Sequence, residues 1–297
     1  RHKPRAKMKV LSLFDGISCG MVALERVGIE VEKYVAYEIE KSAIMISKKN
    51  YPNIEQCGDV YKADFTQYKG FDLLIGGSPC THWSIAKSGR EVTSVGIGFD
   101  LFMQYVRAKE ESGCKYFLYE NNHSISQDIK DEISKKLGVQ PIMINSALVS
   151  AQSRKRCYWT NIPNVKQPED KGITLQDILQ SGYADREKAL CLVRRYARFV
   201  GSQSYLCRRY FGKSFGQAKF ASKEAYQRVN IEFKKDSRFD SDLLDIMPLN
   251  VTEVERLQTL PDNYTECDNV TRIQRIEAIG NGWTVDVIAH ILKELSK

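Results

Sequence analysis

Cys80 ends the run Ile75-Gly76-Gly77-Ser78-Pro79-Cys80, which follows the apolar stretch Phe71-Asp72-Leu73-Leu74-Ile75. That order predicts a buried strand feeding a tight turn that ends in a thiol, the arrangement of a nucleophile at the carboxyl edge of a parallel sheet. Other groups along the chain have the chemistry such a nucleophile needs. Glu120-Asn121-Asn122 closes the apolar run Tyr116–Tyr119, and a carboxylate leaving a buried strand can hold a proton against a ring nitrogen. In Gln152-Ser153-Arg154-Lys155-Arg156 the two arginines alternate, so on a strand Arg154 and Arg156 share a face. Two guanidiniums there would stabilise a thiolate, bind a carbonyl or grip a phosphate. Each group also has a plain structural reading when taken singly: a buried cysteine, a helix cap or ion pair, a surface charge run.

A second set suits ligand binding. Phe14-Asp15-Gly16-Ile17-Ser18-Cys19-Gly20 is a glycine-bounded turn between a strand and a helix, where backbone can approach a ligand at a helix N-terminus. Its spacing is not that of a dinucleotide phosphate loop. Glu38 closes the second strand and can accept both hydroxyls of a ribose, and Asp59 sits where an adenine amino group could be read. Gly280-Asn281-Gly282-Trp283-Thr284 is a tight turn entering the last helix.

The elements that must position these groups alternate. Strands are expected at 10–14, 34–39, 71–76, 116–120, 142–146 and, as a hairpin-like piece, 152–159; helices at 21–27, 42–49, 101–109 and 125–137. This alternation predicts an α/β fold with a doubly wound, mostly parallel sheet and helices on both faces. After Pro163 the pattern breaks, and clear helices return at 251–260, 272–279 and 285–295.

The chain has 297 residues and a net charge of +7, and the charge is unevenly placed. Tyr183–Asp240 holds fourteen Lys and Arg against six Asp and Glu, so the remainder is near neutral. Aromatic residues from Tyr196 to Tyr226 are interleaved there, the footprint of a nucleic-acid binder; a solvated basic face over a small aromatic core fits the composition equally. Eight cysteines, none in a Cys-x-x-Cys pair, argue against a zinc site or a disulfide framework and suit a reducing cytoplasm. No apolar run is long enough to span a bilayer and no signal-peptide pattern is present; residues 1–7 read as a basic leader.

In this order the motifs FDGISCG, GGSPC, EN, QSRKR, RLQTLPDNY and GNGW closely resemble those of the DNA cytosine-5 methyltransferases of bacterial and phage type, with similarity to the de novo mammalian branch. The resemblance implies a Rossmann-like methyltransferase domain over 8–163 and 247–297, with a target-recognition domain at 164–246. It implies S-adenosyl-L-methionine as methyl donor, S-adenosyl-L-homocysteine as product, and no metal. By resemblance Phe14, Asp15, Gly16, Ile17, Gly20, Glu38, Ile39, Asp59, Val60, Pro79, Leu101, Asn281 and Trp283 bind the cofactor, and Cys80, Glu120, Arg154 and Arg156 are catalytic. In that reading the Cys80 thiolate adds to C6 of a flipped cytosine, Glu120 works at N3, and Arg154 and Arg156 support the adduct. The implied partner is double-stranded DNA in a bacterial or phage-infected cell, with a cognate restriction endonuclease as a further partner and a monomer as the working state. Three departures stand out: Asn122 where the family usually has Val, Thr81-His82-Trp83 where Gln often follows Pro-Cys, and Gly282-Trp283 where many members have Ser-Val. Competing readings are a tRNA cytosine-5 methyltransferase, whose Cys-Phe-Thr signature is not found, and a non-catalytic DNA-binding relative.

Overall fold

The computed structural model describes residues 7–83, 88–213, 217–239 and 245–297, without the side chains of Cys80 and Lys213. The expected leader at 1–7, apart from Lys7, and the aromatic Phe215 lie outside the described residues. Chain contacts divide the molecule into two units: Arg1–Ile144 with Lys155–Gln167 and Val287–Lys297, and Asn145–Arg154 with Pro168–Asp286. By this division residues 245–286 group with the segment expected to recognise the target.

In the first unit the elements run β1 (Met8–Leu13), α1 (Cys19–Arg26), β2 (Val31–Tyr37), α2 (Lys41–Asn50), β3 (Glu55–Gln56), β4 (Leu73–Gly76), α3 (Ile97–Ser112), β5 (Tyr116–Asn122), α4 (Gln127–Leu137), β6 (Ile142–Asn145) and β7 (Lys155–Thr160). The sheet order is β3-β2-β1-β4-β5-β7-β6. The β1, β2, β4 and β5 neighbours pair in parallel, and β7 runs antiparallel to β5. The mostly parallel, doubly wound sheet is therefore as expected. Burial on both faces explains why these strands read as near-continuous apolar runs. The order reverses between β1 and β4, and such a switch point opens a crevice beyond the strands' carboxyl ends. Phe14–Gly16, Glu38 and Gly77–Cys80 all leave the sheet at those ends.

Two helices and one strand begin away from their expected limits. α3 starts at Ile97 because Gly96, at φ 126°, makes the entry, a signal that apolar periodicity does not carry. α4 begins at Gln127 because the Ser126 hydroxyl caps it, accepting from the Ile129 N–H. β7 begins only at Lys155, so Arg154 lies outside the strand and the alternation that was to align it with Arg156 does not extend to it.

The second unit holds α5 (Leu175–Ile178), α6 (Gln203–Lys213), β8 (Ala218–Phe220), α7 (Lys223–Lys235), β9 (Ile246–Pro248), α8 (Val251–Leu257) and α9 (Arg272–Asn281), and runs into α10 (Val285–Leu292). β8 and β9 form an antiparallel pair. Tyr196, Phe199, Tyr210 and Phe220 are fully buried, so these interleaved aromatics build a small core rather than a binding face. A buried Lys219–Glu253 ion pair at 2.7 Å joins β8 to α8. Glu253 also completes the capping box of α8 with Asn250, so its charge is held by three partners.

Two features of the sheet's edge fix the loops above it. Gly76 ends β4 where a Cβ would stand 2.8 Å from the Leu13 carbonyl oxygen and 3.1 Å from the Tyr105 ring. Gly76→Ala should therefore cost about 2 kcal/mol and lower the thermal midpoint by several degrees, since the nearest obstacle is backbone; an unchanged midpoint in calorimetry would refute the close approach. Asp15 lies beneath its own loop, its carboxylate accepting from the Ser12, Ser18 and Tyr34 hydroxyls at 2.5–2.6 Å. Burial, opposed by these bonds, raises its pKa from 3.8 to about 6. The folded chain thus holds a proton that the unfolded chain has already released. The stability this proton lends is complete below about pH 4 and is lost as pH rises through about 6. Denaturant titrations at pH 4.5 and 7 should show wild type losing roughly 2 kcal/mol more than Asp15→Asn between the two. Equal losses would contradict it.

Candidate active site

The nucleophile's loop is held from two sides. Ser78, just beyond β4, shares a 2.6 Å hydrogen bond with the Tyr119 hydroxyl of β5. The Asn121 amide donates to the Ser78 carbonyl at 3.3 Å and to that same hydroxyl at 3.0 Å. Cys80 then opens a single 3₁₀ turn, Cys80–His82, and its thiol, the expected nucleophile, lies outside the described residues' side chains. Beyond the turn, the Glu91 N–H donates to the His82 carbonyl at 2.8 Å, and the His82 ring lies 3.4 Å from the Glu91 carboxylate. The other Glu91 oxygen accepts from the Gly98 N–H, tying this turn to the start of α3. Ser78, Tyr119 and Glu91 were not singled out from the sequence; the Ser inside Gly-Gly-Ser-Pro was the available signal for the first.

Glu120 and Arg156 come together on the opposite face of β5. Both are 9% exposed, and Arg156 Nε stands 3.0 Å from Glu120 Oε1. Burying either charge alone would be costly, so each compensates the other. Arg156 Nη1 also donates to Asn122 Oδ1 at 3.3 Å and to the Lys155 carbonyl at 3.0 Å.

Arg154 has different partners. Its guanidinium donates to the carbonyls of Leu192 at 2.8 Å and of Gly280 and Gly282 at 3.1 Å, all in the second unit. It thereby braces the Gly-Asn-Gly-Trp turn, which leaves Asn281 exposed and Trp283 half-buried. The same turn is held by Gln258, whose amide donates to the Ile279 and Gly282 carbonyls and whose oxygen accepts from Thr284 and Gln152. The sequence reading did not single out this glutamine pair, although both residues lie inside quoted motifs.

Of the remaining expected ligand residues, Phe14–Ile17, Glu38 and Ile39 follow β1 and β2, Asp59 and Val60 follow β3, Pro79 follows β4, and Gly20 and Leu101 lie on α1 and α3. Phe14, Gly16 and Ser18 all take positive φ, at 55°, 60° and 64°, which bends the loop tightly over the sheet. A Cβ on Gly16 would meet nothing within 4 Å, so the backbone here borders open space. Glu38 Oε2 accepts from the Gly16 N–H at 2.7 Å, and Oε1 from the Ile39 and Glu40 N–H groups. Ile39 beside it is 74% exposed. Asp59 caps a short 3₁₀ turn by accepting from the Tyr61 N–H, with Val60 buried below it; Pro79 is exposed and Leu101 half-buried on α3. Ile17 and Gly20 are buried under the loop, and a Gly20 Cβ would stand 2.3 Å from Ile75 Cδ1, so Gly20 lets α1 settle on the sheet. A carboxylate for ribose hydroxyls, an exposed aliphatic side chain for a purine face, and a glycine cradle fit the adenosyl part of S-adenosylmethionine. Among the described residues no cluster of His, Cys, Asp and Glu is arranged to hold a metal ion.

Comparison with known proteins bears on family and fold. The orphan methyltransferase M.Rho11sI of Bacillus phage rho11s is 34% identical over 173 residues, 52% of this chain. The chain spans only 32% of that phage protein's length. The type II methyltransferase M.NlaX of Neisseria lactamica is 25% identical over 314 residues, covering 97% of this chain and 96% of the relative. A crystal structure of a Spodoptera frugiperda DNMT2 mutant superposes with a TM-score of 0.74 at 18% identity, covering 98% of this chain and 100% of that one, and so shares the fold. The family model for C-5 cytosine-specific DNA methylases matches residues 8–297, and the chain belongs to that family.

Proposed function

We propose that this chain transfers a methyl group from S-adenosylmethionine to C5 of cytosine in duplex DNA. The observation that carries the reading is the end of β5, where Asn121 grips the loop leading to Cys80 while Glu120, one residue away, is held by Arg156. Addition to a pyrimidine ring requires a nucleophile and a proton-holding group, and the end of β5 ties the loop of the first and carries the second.

In this reading the Cys80 thiolate adds across C6, which turns the C5–C6 edge into an enamine. Glu120 hydrogen bonds N3 and holds a proton there as charge builds on the ring, and Arg156 keeps that carboxylate in place. S-adenosylmethionine, when bound, supplies an electrophilic methyl group. C5 accepts it, the C5 proton leaves to a base, and Cys80 departs as thiolate. Glu38, Ile39, Asp59 and the Phe14–Gly16 backbone would hold the adenosine. Arg154 and the turn carrying Asn281 and Trp283 complete the set as proposed by resemblance.

The target atom lies inside the base stack, so the base is flipped out at a cost of about a few kcal/mol. The positive charge of the segment Tyr183–Asp240 serves the phosphates. Arg194, Arg195, Arg198 and Arg208 are exposed while the neighbouring aromatics are buried, which separates a cationic surface from its core.

Base-resolution mapping of 5-methylcytosine on unmodified DNA, incubated with labelled S-adenosylmethionine, tests the reaction. Methylation at one short motif, lost with Cys80→Ala, is the expected result. Label on tRNA alone would move the activity to RNA, and label on neither would leave a binding protein. Duplex affinity should also fall steeply with salt, with a log–log slope of about −4 if four or five phosphates are contacted. A flat dependence would remove the cationic surface from the reading.

A further inference from the structure

Asn122 is the residue at which the catalytic strand departs from the pattern of its family, and it has a specific partner. The antiparallel register of β5 and β7 sets Asn122 directly opposite Arg156. Period-two alternation puts Glu120 and Asn122 on one face of β5, and Arg156 faces both. Arg156 Nε meets Glu120 at 3.0 Å, while Nη1 donates to Asn122 Oδ1 at 3.3 Å. The same oxygen accepts from the Ser124 N–H at 3.3 Å, so the acceptor is itself fixed by the turn that follows β5.

We propose that Asn122 is a positioning residue that acts through Arg156. A guanidinium held at one edge still swings about its Cδ–Nε bond; on Nη1 the Lys155 carbonyl at 3.0 Å and Asn122 Oδ1 at 3.3 Å together set its plane, and Asn122 supplies the side-chain half of that grip. With the plane set, Glu120 is presented in one orientation. A valine here would pack in the strand yet accept nothing from Arg156. The inference rests on the proposed role of Glu120 at the base, but the geometry of Arg156 is measurable apart from that role.

The test compares the parent chain with Asn122→Val, a substitution that β structure accommodates well. On duplex DNA with S-adenosylmethionine, kcat should fall about fivefold, the effect of one weak bond to a charged group, with both KM values unchanged. In an Arg156→Lys background the same substitution should have no further effect. Losses that multiply instead would mean that Asn122 acts independently of Arg156 and would overturn the proposal. A second readout needs no turnover. The Arg156 Nε–H and guanidinium signals in nitrogen-15 NMR should report faster rotation in Asn122→Val than in the parent, although Glu120 and the Lys155 carbonyl still hold the group, and an unchanged signal overturns the positioning role. A parent chain that methylates nothing, yet shows the NMR change, would sink the proposed function and leave the positioning of Arg156 standing.

Discussion

The site depends on the burial of one ion pair at the end of β5. Glu120 and Arg156 are each about nine-tenths buried, and neither charge could be left there alone. The pair needs β7 beside β5 and running against it, because only that register sets Arg156 opposite Asn122 and within reach of Glu120. The single antiparallel strand neighbour of β5 is thus a requirement of this buried ion pair and not an irregularity of a parallel sheet.

The pleat then lets the same strand serve two loops. Tyr119 and Asn121 point to one face and bind the Ser78 turn; Glu120 and Asn122 point to the other and bind Arg156. Because the two functions sit on adjacent residues, their spacing is set by the backbone and not by side-chain packing. Gly76 contributes from below, since any side chain there would push β4 away from β1 and take the loop with it.

The strands β1, β4 and β5 were legible because each is buried on both faces and so reads as an apolar run. The same property made Cys80 and Glu120 legible, as polar residues emerging where such runs stop. The direction and place of β7 were not legible, because strand order is decided by which faces need covering and leaves no local trace. That is why the alternation argument paired Arg154 with Arg156. Arg154 precedes the strand, and its guanidinium instead braces Leu192, Gly280 and Gly282. The two-residue β3, the short β8 and the helices between 175 and 235 escaped because pieces of that length carry too few periods to stand out.

In the second unit the fold separates two residue types that the sequence interleaves. Arginines among tyrosines and phenylalanines left two readings open, a nucleic-acid face or a basic surface over a small aromatic core. In the fold the two types part: Tyr196, Tyr210 and Phe220 turn inward, with ring centroids of Tyr210 and Phe220 5.9 Å apart, while Arg194, Arg195 and Arg198 turn outward. A short segment without its own large sheet has little else with which to make a core, so its aromatic residues are consumed by folding. The cationic surface that remains can hold phosphates through charge alone, and readout of particular bases must then fall to other, polar side chains.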